Sequence, residues 1–258
     1  MTTAKLAPDR LPQRLVALGW SRDVYVRGAL PVENCVAIVG ARAATQAAMD
    51  RAFVLGRDLT ARGYHVVSGG ALGIDGAAHR GALAAGGATT VILGGGVDIA
   101  YPARHAALFA EIQATGGTIA SLVPDGTEPR GSLFVQRNRL IAALSKLVIV
   151  VEAELRSGSL TTAAAARDLQ IQVGAGRGSR GCERLLATGA VLVESADDAE
   201  AALRGTPRVF AAAETDPVSR EVRDAIAGGA ASIDAIVERT GLTARAVLRA
   251  LPTLERMQ

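Results

Sequence analysis

From Cys35 to Gly205 the chain alternates short β-branched runs with alanine-rich stretches of helical period, and few folds accept that pattern. The apolar runs are Cys35–Val39, His65–Val67, Thr89–Leu93, Thr118–Ala120, Leu147–Val151 and Ala190–Val193. They lack the in-out alternation of a half-exposed sheet, so both faces are expected to be covered. Helices are expected over Thr45–Arg62, Ile74–Ala85, Arg104–Thr115, Phe134–Leu144, Leu160–Leu169, Gly181–Thr188 and Ala196–Leu203. Strand and helix in strict succession predict an α/β fold built on a doubly wound parallel sheet with right-handed crossovers.

The flanks differ from this body. Residues 1–34 hold a short helical run, Leu11–Leu18, and a possible edge strand, Val24–Val26, and read as a lead-in to the domain at 35–205. Residues 206–258 begin with a linker at Thr206-Pro207 and continue as three short helices, Pro217–Ala227, Ser232–Thr240 and Thr243–Leu251. Ser232 and Thr243 are candidate caps. Two helices, a Thr240-Gly241 turn and a third helix make the spacing of a helix-turn-helix, the core of winged-helix modules. Only seven residues follow Leu251, so the wing is expected to be truncated. A purely structural helical packing unit fits the same spacing.

In an open parallel sheet, ligands bind outside the carboxyl ends of the strands, and four polar or glycine-rich loops fall on that edge. The one after Val67 is Ser68-Gly-Gly-Ala-Leu-Gly-Ile-Asp75, which opens a helix and suits an anion through close backbone approach at Gly69 and Gly70 and the helix dipole. Arg42 follows the first strand, and Gly94-Gly-Gly-Val-Asp98 the third. After Val151, Ser157-Gly-Ser-Leu-Thr-Thr162 sets four hydroxyls, among them Ser157, Ser159 and Thr161, at a helix start; they serve anion binding or capping. The helix opening at Phe134 brings Arg137, Asn138 and Arg139 to the same edge. An aromatic ring among arginines suits single-stranded nucleic acid, although Phe134 taken alone reads as core.

Other chemistries find less support. The loops contain neither a G-x-G-x-x-G dinucleotide fingerprint nor a P-loop. Asp75 and His79 stand four apart on a helix, a spacing that raises acid–base catalysis, but a structural pair or a dipole-complementing Asp75 explains them as well. No catalytic residues, cofactor or metal site are expected, and Cys35 and Cys182 read as reduced, buried thiols. A net charge of +3 permits a polyanion partner without requiring one. Without a signal-like segment or a membrane-length apolar run, the expectation is a cytoplasmic protein with no membrane contact.

Five ordered blocks carry a resemblance: Val36-Ala-Ile-Val-Gly-Ala-Arg42, Ser68–Ala82, Asp98 with Tyr101-Pro102, Arg137-Asn-Arg139 and Ser157-Gly-Ser-Leu-Thr-Thr-Ala163. Together they resemble the DNA-processing protein A family, also called Smf. The resemblance spans about Cys35 to Gly205 and, more weakly, the C-terminal helices. It implies a Rossmann-like domain, a homodimer, binding of single-stranded DNA, and loading of the recombinase RecA in natural transformation, with no enzymatic turnover. It also implies that Arg42 and the Phe134–Arg139 segment contact DNA while the Ser68 and Ser157 loops shape the pocket. The chain departs from the family pattern at Leu122, at Val135, and at Gln170–Cys182, where a proline and several loop residues are missing; the last strand and the dimer surface depend on that stretch. The competing reading is a nucleotide-processing enzyme like the phosphoribohydrolases of similar fold, whose proline-glycine-glycine-x-glycine-threonine block is here replaced by Ser157-Gly-Ser-Leu-Thr161. A transcription regulator acting through the C-terminal helices is a third.

Overall fold

The computed structural model describes residues 2–207, 217–230 and 232–248. The chain divides into two compact units, residues 1–209 and 210–258.

The larger unit is a Rossmann-like α/β fold around a nine-stranded sheet in the order β1-β2-β6-β5-β4-β3-β7-β8-β9. Its parallel strands are β3 (Cys35–Val39), β4 (His65–Ser68), β5 (Thr89–Leu93), β6 (Thr118–Ser121), β7 (Leu147–Val150), β8 (Gln172–Ala175) and β9 (Val191–Leu192). From β3 the chain winds outward through α2 (Gln46–Ala61), α3 (Ile74–Ala84) and α4 (Ala106–Ala114) to β6. It then returns through α5 (Gly131–Leu144) to β7, on the other side of β3, and continues through α6 (Ser159–Asp168), α7 (Arg180–Ala187) and α8 (Ala196–Leu203). The reversal makes β3/β7 the topological switch point, where doubly wound sheets open a crevice.

Burial explains why these segments hold. Every residue of β3 and β7 is buried, as the unbroken apolar runs require of strands covered on both faces. On α2, Ala48, Ala52, Leu55 and Leu59 recur at helical spacing and pack on Val36, Ile38, Val66 and Ile149 together with Ile74 of α3. Each fully buried Leu or Ile contributes about 1.5–3 kcal/mol. The ion pairs of Arg62 with Asp197 and Glu200, 2.7 and 2.8 Å, are exposed and screened by water, so the apolar layers decide the fold.

The fold departs from the expectation in three places. The sheet is not wholly parallel: β1 (Ala4–Leu6) and β2 (Val24–Arg27) extend it antiparallel beyond β6. Val24 and Val26 alternate buried with half-buried neighbours, the mark of a strand with one covered face, and β1 rather than β2 forms the edge. Residues 2–34 are therefore built into the sheet, and α1 (Gln13–Ala17) is fastened to the end of α5 by Arg14, which donates to the carbonyls of Ala143 and Ser145. Second, the shortened stretch at Gln170–Cys182 does contain a strand, β8, bonded to β7 and β9. Third, α5 begins at Gly131, so Phe134 lies inside its first turn rather than at its start.

In the smaller unit, α9 (Pro217–Ala227), α10 (Ile233–Thr240) and a helical stretch over 244–248 enclose Val222, Ala225, Ala230, Ile236 and Val247. Ser232 caps α10 by accepting from the Ala235 amide at 3.2 Å, and Thr243 accepts from the Ala246 amide at 3.3 Å. The remainder of the third expected helix, and any wing, lie outside the described residues.

Candidate nucleic-acid interface

At the β3/β7 switch point lies an open cleft of about 770 Å³. Its walls are the turn after β3, the start of α5, and the loop from β7 into α6. The β3 and β7 ends are tied by the Ala41 amide donating to Glu152 O at 2.8 Å. The Glu152 carboxylate in turn accepts from the Thr45 hydroxyl (2.6 Å) and amide (3.0 Å), locking the start of α2 beside the cleft.

Arg42, Phe134, Asn138, Ser157, Ser159 and Thr161 all line this space, as the edge rule predicts. The Arg42 guanidinium lies 5.2 Å from the Phe134 ring centroid, in cation–π range, and the residue is exposed. Phe134 is half-buried, with its ring against Gly94, and it lines the cleft. In the same lining, the Ser157 and Ser159 hydroxyls are 2.8 Å apart at the start of α6, where the N-cap position is Gly158 and makes no side-chain cap. Thr161 is more committed: its hydroxyl donates to Gly158 O at 2.7 Å and accepts from Asn138 Nδ2 at 2.6 Å, so Asn138 joins α5 to α6.

Other expected site residues sit differently. Arg137 is 6% exposed and donates from one guanidinium nitrogen to the carbonyls of both Gly69 and Ile92. It reaches the cleft floor yet acts as a strut across the ends of β4 and β5, with its guanidinium 5.6 Å from the Phe134 centroid. Burial lowers its pKa to about 10, the Asp75 charge opposing the shift. Gly69 leaves room for that guanidinium, since a Cβ there would sit 2.2 Å from it. Gly70 has φ +70°, the left-handed conformation that glycine favours, and packs against Val91 and Phe109, away from the cleft. Arg139 is exposed and outside the cleft lining, because one residue past Asn138 on α5 turns it to another face.

Asp75 and His79 do not pair. Asp75 accepts from the amides of Gly69 (3.1 Å) and Ala71 (3.4 Å), closing the Ser68 loop onto α3, and burial raises its pKa. His79 faces Thr89 Oγ1 at 2.9 Å, and burial pushes its pKa down to about 3, so it stays neutral. Buried Cys35 has its thiol pushed up to about 11. Among the described residues, no group of three or more His, Cys, Asp and Glu could hold a metal ion, and no helix is long and apolar enough to cross a membrane.

Several lining groups escaped the sequence reading. Arg156 borders the cleft from the β7–α6 loop, as does Glu154, a carboxylate that the sequence places at the strand end with no nucleophile and base beside it. Val135, 58% exposed, lies on the rim, and Tyr101 approaches Phe134 with ring centroids 5.6 Å apart. The carboxyl-edge rule could have found Arg156 and Tyr101, since both lie on loops leaving that edge.

The fold and this cleft define a Rossmann-like α/β protein whose switch-point crevice is lined by guanidinium and hydroxyl groups and an aromatic ring, followed by a small winged-helix domain. The chain belongs to the DNA recombination-mediator protein A family, whose profile matches residues 11–204, with a DprA winged helix domain matched over 206–255. It is 45% identical over 237 residues to the putative DNA processing protein DprA of Mycobacterium tuberculosis, covering 86% of this chain and 61% of that protein. It is 37% identical over 195 residues to protein Smf of Escherichia coli, covering 72% and 52%. The chain thus spans less than two thirds of the length of these relatives. Among solved structures, DNA processing protein A from Streptococcus pneumoniae superposes with a TM-score of 0.72 at 32% identity, covering 78% of this chain and 74% of that one. The Helicobacter pylori protein, described for its unique single-stranded DNA binding mode, gives a TM-score of 0.61 at 28% identity, covering 81% and 90%.

Proposed function

We propose that the protein binds single-stranded DNA in the switch-point cleft and serves recombination as a mediator that protects incoming strands and loads RecA onto them, without catalytic turnover. The observation that carries this reading is the pairing of the Arg42 guanidinium with the Phe134 ring in one cleft with the Ser157–Ser159 hydroxyls. A single strand offers both an unpaired base face and a phosphate, and this cleft has a partner for each. Phosphate suits Arg42, Arg156 and the hydroxyls; a base face suits Phe134. A duplex hides its base faces, so the ring adds nothing to its binding.

Kinship with DprA proteins and with the H. pylori structure supports the same ligand. The disposition of acids supports a binding role over a nucleotide-cleaving one. The two carboxylates lining the cleft are Asp75, which is occupied by backbone amides, and Glu154; no histidine is among the lining residues, His79 being turned to Thr89. A homodimer and a cytoplasmic location complete the proposal. Its test is fluorescence anisotropy with labelled single strands. Arg42→Ala is expected to weaken binding about tenfold or more and to lower the salt dependence by about one phosphate. Unchanged affinity in Arg42→Ala would remove this cleft from consideration, and release of free base from nucleoside monophosphates would favour an enzyme.

A further inference from the structure

We propose that Tyr101 is a second base-stacking residue, extending the Phe134 platform into a seat for one nucleobase beside the phosphate-binding part of the cleft. The inference rests on the reading of the cleft as a single-strand site and adds a residue and a subsite to it.

The chain has eight aromatic residues of the Phe, Tyr and Trp types, so an exposed ring needs a reason. Tyr101 is 45% exposed and is the one aromatic among the exposed large hydrophobic residues described. Among the described residues its hydroxyl has no hydrogen-bond partner. Stability gains little from a side chain so placed.

The loop that carries it is nonetheless firmly held. Asp98 accepts from the Gly126 amide at 3.0 Å, the His105 amide donates to Pro102 O at 2.9 Å, and the His105 ring bonds Gly70 O at 2.9 Å. Tyr101 is thereby presented from a fixed backbone, as a preorganised contact should be.

Tyr101 and Phe134 meet at 5.6 Å between centroids with a 41° tilt. A base sandwiched between two rings needs about twice the ~3.5 Å contact distance, so none can enter between them. The tilt instead makes a bent aromatic wall whose more exposed part is Tyr101. Beside it is a small recess of about 80 Å³, lined by Tyr101, Phe134, Pro102, Leu72, Gly69 and Arg42. Arg42 and Phe134 also line the larger cleft, so a base at this wall is directly continuous with phosphate at the Ser157 loop. The recess is apolar apart from its arginines, and it offers faces and edges rather than a directional polar code. It therefore suits a base of any identity held by stacking.

A double comparison tests the assignment: binding of an oligothymidylate and of a fully abasic oligonucleotide of the same length, by wild type, Tyr101→Phe and Tyr101→Ala. Tyr101→Ala is expected to lose about tenfold in affinity for oligothymidylate and to leave affinity for the abasic strand unchanged. Tyr101→Phe should match wild type on both. Equal losses on both strands would mean a structural role and overturn the proposal, as would no loss on either. If wild type itself failed to bind oligothymidylate, the single-strand reading of the cleft would fall first; if wild type bound and Tyr101→Ala bound equally well, only Tyr101 would be lost.

Discussion

Arg137 and Arg42 are five or six ångströms from the same ring, and burial separates their duties. Arg42 is exposed and can exchange water for a phosphate at small cost, whereas Arg137 is committed to two carbonyls and stands near the buried Asp75. Arg137→Ala would leave both carbonyls unpaired and Asp75 without its nearby cation; urea unfolding is expected to register a loss of about 3 kcal/mol or more, with Arg42→Ala within about 0.5 kcal/mol of wild type. The histidines give a second expectation. Burial lowers His79 to about 3 and His65 to about 4 from 6.5, so between those values and 6.5 the unfolded chain binds more protons than the folded one. Stability is therefore full above pH 6.5 and falls as pH drops through that window, by about 2 kcal/mol per histidine at pH 5. Denaturant melts at pH 7.5 and 5 check the slope, and His79→Gln should remove about half of it, His65 supplying the rest. From the sequence, Arg42, Arg137 and Arg139 look alike; burial sets Arg137 apart as a strut, and the face each side chain takes, which a linear pattern does not encode, puts exposed Arg42 in the cleft lining and exposed Arg139 outside it.

Among the elements, those with long periodic or β-branched patterns were legible and the short ones were not. Six apolar runs predicted β3, β4, β5, β6, β7 and β9 because buried parallel strands must be apolar on both faces. Gln172-Val-Gly-Ala175 has a single β-branched residue, and it forms β8 because β7 and β9 supply hydrogen bonds on either side while Gly174 admits the Val193 side chain. Ala4-Lys5-Leu6 has no pattern at all and is a strand only through β2. The Glu152 clasp on α2 was equally invisible, since its partner Thr45 is 107 residues away. Glu152→Ala is expected to cost about 1 kcal/mol, because it frees the Thr45 amide and hydroxyl at a partly exposed site; thermal melting measures it.

At the scale of the whole molecule, the charge of +3 is too small to draw in a polyanion by itself, so affinity must come from a few local groups. The larger unit holds every residue lining the cleft, so a chain ending at Gly205 is expected to keep single-strand binding within a few-fold of the full chain. Loss of all binding on that truncation would shift the function to the winged-helix unit. The carboxyl-edge rule placed the cleft from topology alone, and the structure shows why it could: the β3/β7 reversal collects loops that are far apart in sequence. The central claim is that this cleft takes unpaired bases together with phosphate. One titration tests it most directly: single-stranded and duplex oligonucleotides of equal length, each at two salt concentrations. The single strand should bind more tightly at both, with affinity falling at the higher salt by a slope of about 0.7 per phosphate held. Equal affinity for the two forms, or binding indifferent to salt, would contradict the account.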